Sequence, residues 1–210
     1  MALITEAQMR VITRKIAKAD PVFSDLVKRS ELCTIGRKRN SQSHYETLVD
    51  SIISQQLSIK AADSIARRLR ELAGGKIRPE FISKLDSDQI RSCGLSNAKV
   101  RAINELTTAT LDKTINFHKF RYMTNDDISE ELVSLWGIGR WTVEMFLMFH
   151  LGRLDVWPVG DLGVRRGWEK LHSLPEQIEP KALDELGSNF AGFQSVVAWY
   201  CWRALEMETA

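Results

Sequence analysis

The sequence predicts an all-α protein, and three observations carry that prediction. Apolar residues recur at helical spacing, as in Met9, Ile12 and Ile16, or in Leu48, Ile52 and Ile53. Polar capping residues stand ahead of several of these runs, and glycines close some of them. Alternation at period two, the mark of a half-buried strand, is scarce, and neither a solenoid-period repeat nor a low-complexity segment interrupts the pattern.

The elements follow in order. Thr5 and Gln8 form a capping box, in which hydroxyl and amide satisfy the free N–H groups at a helix start. Leu48, Ile52, Ile53 and Gln56 mark a helix over about 44–56, and a further helix runs from about 58 to 73, closed by Gly74 and Gly75. Asp86 or Ser87 caps a short helix ending at Gly94. Ser96 opens a longer one carrying Val100, Ile103 and Leu106. Thr124 to Asp127 caps the run Ile128, Leu132 and Leu135. Residues 141–151 and 192–205 are two further helices.

Composition bounds the function classes. The 210 residues are 44% hydrophobic and 27% charged, the balance of a soluble globular chain with room for one core or two small lobes. Net charge is only +2, so any polyanion partner must meet local basic groups. Candidates are Arg37, Lys38 and Arg39 in one loop, and Arg165 and Arg166 further on; a solvated surface is their plainer reading. Cys33, Cys93 and Cys201 are odd in number and widely spaced. They read as free thiols in a reducing compartment, without metal-type spacing. The first residues lack a signal-peptide apolar core and no apolar run reaches membrane-spanning length, so a cytoplasmic place, nucleoid-associated in a prokaryote, is the expectation.

The most informative stretch is 135–161, LWGIGRWTVEMFLMFHLGRLDVWPVGD. The turn at Gly137-Ile138-Gly139 allows positive φ and close approach, and the N–H groups after it begin a helix whose dipole favours an anion. Such a turn can hold a phosphate without reading sequence. An aromatic follows at Trp141 and a carboxylate at Asp161.

Leu135 to Thr142 resembles the helix-hairpin-helix of the base-excision DNA glycosylases, and Leu154 to Asp161 resembles their Gly/Pro-rich loop and acidic residue. Residues 52–58 (IISQQLS), 94–99 (GLSNAK) and 195–203 (SVVAWYCWR) resemble three further motifs of that family in the same order, so the likeness covers about 44–203. The nearest branch is 3-methyladenine DNA glycosylase II in its compact, all-helical form. The resemblance implies two helical lobes with a cleft between them, one from about 1–43 plus 153–210 and the other from about 44–152, with the hairpin at about 127–151.

It also implies roles. Asp161 matches the catalytic carboxylate, and Gly137, Gly139 and Thr142 the phosphate-binding positions. Gln56, with Gln55 beside it, falls where the family pushes into the vacated duplex. Trp141 and Phe193 fall on the walls of the base pocket. The carbonyls of Val133, Leu135 and Ile138 would hold a structural Na+ or K+. The implied partner is duplex DNA with damaged bases, met by a monomer. The implied reaction is release of alkylated purines such as 3-methyladenine and 7-methylguanine, with hypoxanthine and ethenoadenine as further candidates. Such a base must leave the stack. When N-alkylated it is a cation that an indole face attracts by roughly 0.5–2 kcal/mol.

Departures from the family are informative. Lyase-capable members carry a Lys where Trp141 stands, so no Schiff base forms and base release without strand cleavage is expected. Only Cys201 lies near the C-terminus, so no iron–sulfur cluster is expected. Met145 replaces an aromatic of some relatives and softens the pocket, and Phe193-Gln194 replaces a Tyr-Arg pair. Asp161 also fits a helix N-cap, and one residue can do both. Asp155 reads as a loop-fixing carboxylate. Trp136, Trp157, Trp168, Trp199 and Trp202 read as packing, and the four histidines are given no role. Two alternatives stay open: a non-catalytic DNA-binding module, and a glycosylase for other damaged or mismatched bases.

Overall fold

The structure is a computed structural model that describes residues 3–207, in which helices, turns and loops account for every described residue and no strand occurs among them. Its contacts divide the chain into two compact units. One is made of residues 1–39 and 147–210, and the other of Asn40–Phe146.

The first unit holds α1 (Glu6–Ala19), α2 (Phe23–Arg29), α10 (Leu162–His172), α11 (Pro180–Gly187) and α12 (Gln194–Glu206). The Thr5–Gln8 capping box starts α1 and buries Met9 and Ile16. Helix α12 is the core element, with Val196 to Cys201 buried in sequence. Helix α10 packs along it, so closely that a Cβ added at Gly167 would lie 2.0 Å from the Cys201 carbonyl oxygen. Trp168 of α10 stacks on His172 at 4.1 Å and meets Phe23 and Phe190 edge-on or tilted, while His172 Nε2 lies 2.7 Å from Asp20 at the end of α1.

The second unit holds α3 (His44–Ser54), α4 (Ile59–Leu72), α5 (Pro79–Ile82), α6 (Ser87–Ser92), α7 (Asn97–Leu111), α8 (Asn125–Val133) and α9 (Arg140–Met145). Its core is α3 against α4 and α7, with Leu48, Ile52, Ile53, Leu69, Ile103 and Leu106 fully buried. The Tyr45 hydroxyl and Thr107 Oγ1 lie 2.7 Å apart inside it, and burial pushes the phenol above its ordinary range. The His44 ring lies among Phe117, Phe120 and Phe146 at 5.7–6.2 Å.

Local signals place the starts well. Ser58, Asp86, Ser96 and Thr124 each accept the N–H three residues on. The ends differ from expectation at three places. The helix over 44–56 stops at Ser54, with Gln55 extended as its C-cap and Gln56 in the left-handed region at φ 57. The helix over 141–151 is α-helical only to Met145 and then widens into a π turn, Phe146–His150. The last helix begins at Gln194, preceded by Phe193 as its non-helical cap. The short helices α2, α5 and α11 have no counterpart in the periodicity; α5 and α11 start on a proline, whose missing N–H costs nothing there.

Candidate active site

The hairpin comes from local chemistry in the second unit. Helix α8 ends at Val133, and Leu135 to Gly139 turn the chain into α9, with the Ile138 N–H donating to the Leu135 carbonyl at 3.2 Å. Gly137 has φ +84, and a Cβ there would lie 2.7 Å from the Ala102 Cβ of α7. Gly139 differs: its φ is −88 and an added Cβ would meet nothing within 4 Å. It is the N-cap of α9, which has no side-chain cap; α2, α5, α11 and α12 have none either. The Trp136 N–H is already used, donating to Glu105 Oε1 at 2.8 Å, while Arg101 lies over the Trp136 ring at 4.4 Å.

The glutamine loop is tied to this hairpin. Gln55 Nε2 donates to the Gly137 carbonyl at 3.1 Å and to Thr142 Oγ1 at 3.4 Å. Thr142 is only 4% exposed, and its hydroxyl accepts from Gln55. Lys99 Nζ donates to the carbonyls of Ile53 and Gln55, both at 2.7 Å, and closes the end of α3. Burial lowers the Lys99 pKa below that of a free lysine. Gln56 is exposed beyond this clamp, next to two apolar side chains not singled out from sequence, Leu57 and the 83% exposed Ile59. Trp141 is 52% exposed, and Met145 one turn on is half-buried. Glu144 beside it is buried and pairs with exposed Arg140 at 3.1 Å.

Val133, Leu135 and Ile138 lie at the end of α8 and in the turn. The Leu135 carbonyl accepts the Ile138 N–H at 3.2 Å. No cluster of three His, Cys, Asp or Glu fit for a metal ion exists among the described residues.

Asp161 belongs to the first unit and is 9% exposed. It is the N-cap of α10, its Oδ1 accepting the Val164 N–H at 2.8 Å, as the cap reading requires. The loop before it is pinned to the start of α12. The Ser195 N–H donates to the Leu154 carbonyl, the Val156 N–H donates to Ser195 Oγ, and Ser195 Oγ–H donates to the Val156 carbonyl, at 2.9–3.1 Å. Trp157 Nε1 anchors the loop further by donating to the Leu183 carbonyl at 2.9 Å. Asp155 of the same loop is exposed. Phe193 is half-buried, its ring 6.3 Å from Phe190.

Two expectations need correction here. Trp202 is more than packing: its Nε1–H donates to Asp161 Oδ1 at 2.9 Å, and its face meets the half-exposed ring of Phe149 at 5.7 Å. A partner 41 positions away in sequence leaves no local signal. Among the basic candidates, Arg37 is turned inward, donating to the Leu32 and Cys33 carbonyls at 3.4–3.5 Å, and Arg165 donates to the Ile178 carbonyl at 3.4 Å; Lys38, Arg39 and Arg166 are the exposed ones.

The hairpin, its glycine turn and the acidic loop are the defining parts of one class, and residues 49–191 match the HhH-GPD superfamily of base excision DNA repair proteins. The chain belongs to that superfamily. It is 34% identical over 174 residues to DNA-3-methyladenine glycosylase 1 of Schizosaccharomyces pombe, which spans 81% of this chain and 76% of the relative. Its fold is similar to a crystal structure of DNA-3-methyladenine glycosidase from Bacillus halodurans, with TM-score 0.83 and 31% identity over 92% of this chain and 88% of that one. It is also similar to the S. pombe 3-methyladenine DNA glycosylase in complex with abasic DNA, with TM-score 0.78 and 32% identity over 94% of this chain and 97% of that one.

Proposed function

We propose that the chain is a monofunctional DNA glycosylase that rotates an alkylated purine out of the duplex and hydrolyses its bond to the sugar, leaving an abasic site. The observation that carries this reading is Asp161, a nearly buried carboxylate whose Oδ1 takes two N–H donors at the head of α10. Family membership and relatives named for 3-methyladenine support the substrate class, and the S. pombe complex with abasic DNA supports the product.

In the reaction the C1′–N bond breaks with its electron pair passing to the cationic base, which leaves neutral. Water adds its oxygen to C1′ and gives up one proton. Positive charge develops on the sugar between these events, and Asp161 supplies negative charge against it and an acceptor for the water. Gly137, Gly139 and the first N–H groups of α9, Thr142 included, hold a phosphate, a reading supported by membership of the HhH-GPD superfamily. A monovalent cation on the carbonyls of Val133, Leu135 and Ile138 would add charge there. Gln56 enters the vacated stack with Leu57 as an apolar wedge beside it, while Gln55, expected beside it in that role, is held back by its bonds to Gly137 and Thr142. The half-exposed Trp141 and its neighbour Met145 receive the base, and Phe193 has the same role by family resemblance. An indole cannot form a Schiff base, which favours hydrolysis without strand cutting. Three buried free thiols favour a reducing, cytoplasmic setting, and lesion search asks for no symmetric partner, so the working form is a monomer.

Asp161→Asn tests the reading. Release of 3-methyladenine from methylated duplex should fall by about 100-fold or more, while binding to an abasic-site duplex stays within about twofold of wild type. Wild-type protein that frees no base from methylated duplex would refute the alkylated-purine reading and leave the binding module and the glycosylase for other bases. A covalent adduct trapped with borohydride would refute the monofunctional assignment.

A further inference from the structure

We propose that Trp202 is the positioning residue of Asp161, and that Gly163 keeps open the place its indole occupies. The proposal rests on the catalytic reading of Asp161. A helix N-cap needs one acceptor for one backbone N–H, and Val164 fills that need at 2.8 Å. The second donor, Trp202 Nε1–H at 2.9 Å, comes from α12 and caps nothing. Its target is the same oxygen, Oδ1. The terminal torsion of an aspartate is broad when unconstrained. Two donors converging from different helices fix the roll of the carboxylate plane and therefore the direction of Oδ2.

Gly163 supplies the independent observation. Its backbone is ordinary helix without a positive φ, so helical geometry does not ask for glycine there. Glycine costs up to about 1 kcal/mol against alanine in a helix interior, and Gly163, second residue of α10, bears part of that cost. A Cβ there would lie 2.8 Å from Trp202 Cδ1, 2.9 Å from Nε1 and 3.1 Å from Asp161 Oδ1. A single methyl group would therefore enter the hydrogen bond itself. On its face the indole is held by Phe149 of the π turn, at 5.7 Å and 33°. Trp202 touches no reacting atom in this scheme; it acts through the carboxylate it orients.

The test uses Trp202→Phe, which keeps an aromatic side chain and removes the donor, Gly163→Ala, which keeps the donor and removes its room, and the double variant. Single-turnover release of 3-methyladenine and the dissociation constant for an abasic-site duplex are measured for each. Each single variant should slow release about tenfold, the loss of one hydrogen bond to a charged group. The dissociation constant should stay within about twofold of wild type. The double variant should be no slower than the slower single one, because both remove the same contact. Release at the wild-type rate in both single variants, with Asp161→Asn inactive, overturns the proposal and leaves the catalytic reading intact. Full release by Asp161→Asn overturns that reading itself. Rate and affinity falling together, or multiplicative effects in the double variant, would reduce Trp202 to a structural role and also overturn the proposal.

Discussion

Gly137→Ala should damage the hairpin through two separable terms. Its backbone sits at φ +84, a region that costs an L-residue roughly 1–2 kcal/mol. Its new methyl would stand 2.7 Å from the Ala102 Cβ, against about 3.5–4.0 Å for carbons in comfortable contact. Overpacking of that kind costs about 1–3 kcal/mol. Together the loss is roughly 2–5 kcal/mol, and at about 2–4 °C per kcal/mol for a chain of this size the melting temperature should fall by about 4–20 °C. Ala102→Gly separates the terms. Alone it costs about 1 kcal/mol in the interior of α7. In the Gly137→Ala background it removes the clash and leaves the strained φ, so the pair should be more stable than the sum of the singles by about 1–3 kcal/mol. Thermal denaturation of the four proteins by circular dichroism reads this directly, and abasic-duplex affinity should weaken in Gly137→Ala. A variant melting within about 2 °C of wild type, or strict additivity in the pair, would refute the reasoning.

Three further outcomes are expected. Lys99→Met removes both 2.7 Å bonds to the end of α3, so urea denaturation should show a loss of about 1–3 kcal/mol. Base release should slow as Gln56 loses its fixed backbone, and an unchanged rate would detach Lys99 from the wedge. Burial and the neighbouring His118 hold the His44 pKa below its ordinary value, so the fold favours the neutral ring. Its contribution to stability is full above about pH 6.5 and is lost as pH falls below that. Wild type should accordingly lose more stability than His44→Asn between pH 7.5 and 5.5, and parallel melting curves would contradict this. Burial pushes the Cys33 thiol up to about 12 and raises Cys201 as well. Neither should react with a disulfide reagent at pH 8 until the chain unfolds; rapid labelling of the native protein would contradict their burial.

Sequence announced those features whose causes are local. The capping boxes at Thr5 and Thr124 and the caps at Ser58, Asp86 and Ser96 each rest on residues three apart, and each stands where the pattern puts it. The end of α3 was hidden because Lys99, far along the chain, takes the carbonyls that would have continued or closed the helix. The widening of α9 into a π turn was equally hidden, since the apolar spacing of Phe146, Leu147 and Phe149 suits either helix type. Asp161 was legible both as cap and as candidate carboxylate because its neighbours carry both patterns. Its tie to Trp202 was not, because one hydrogen bond across 41 positions alters no periodicity. The glycine turn was legible as a motif, yet its two glycines serve different ends: Gly137 answers to Ala102, and Gly139 leaves a helix start without a cap.

The division of the chain has a consequence for its synthesis. Residues 40–146 are one continuous stretch, while the unit that carries Asp161 needs residues from both sides of it. At about 5–20 residues per second, roughly 5–20 s pass between completion of residues 1–39 and the first residue that rejoins them. During that time Phe23 and Leu26 of α2 wait for α12, the helix against which α2 packs. The glycine turn is synthesised in the same interval, before Asp161 has been made, so the two parts of the site enter the chain in separate stages.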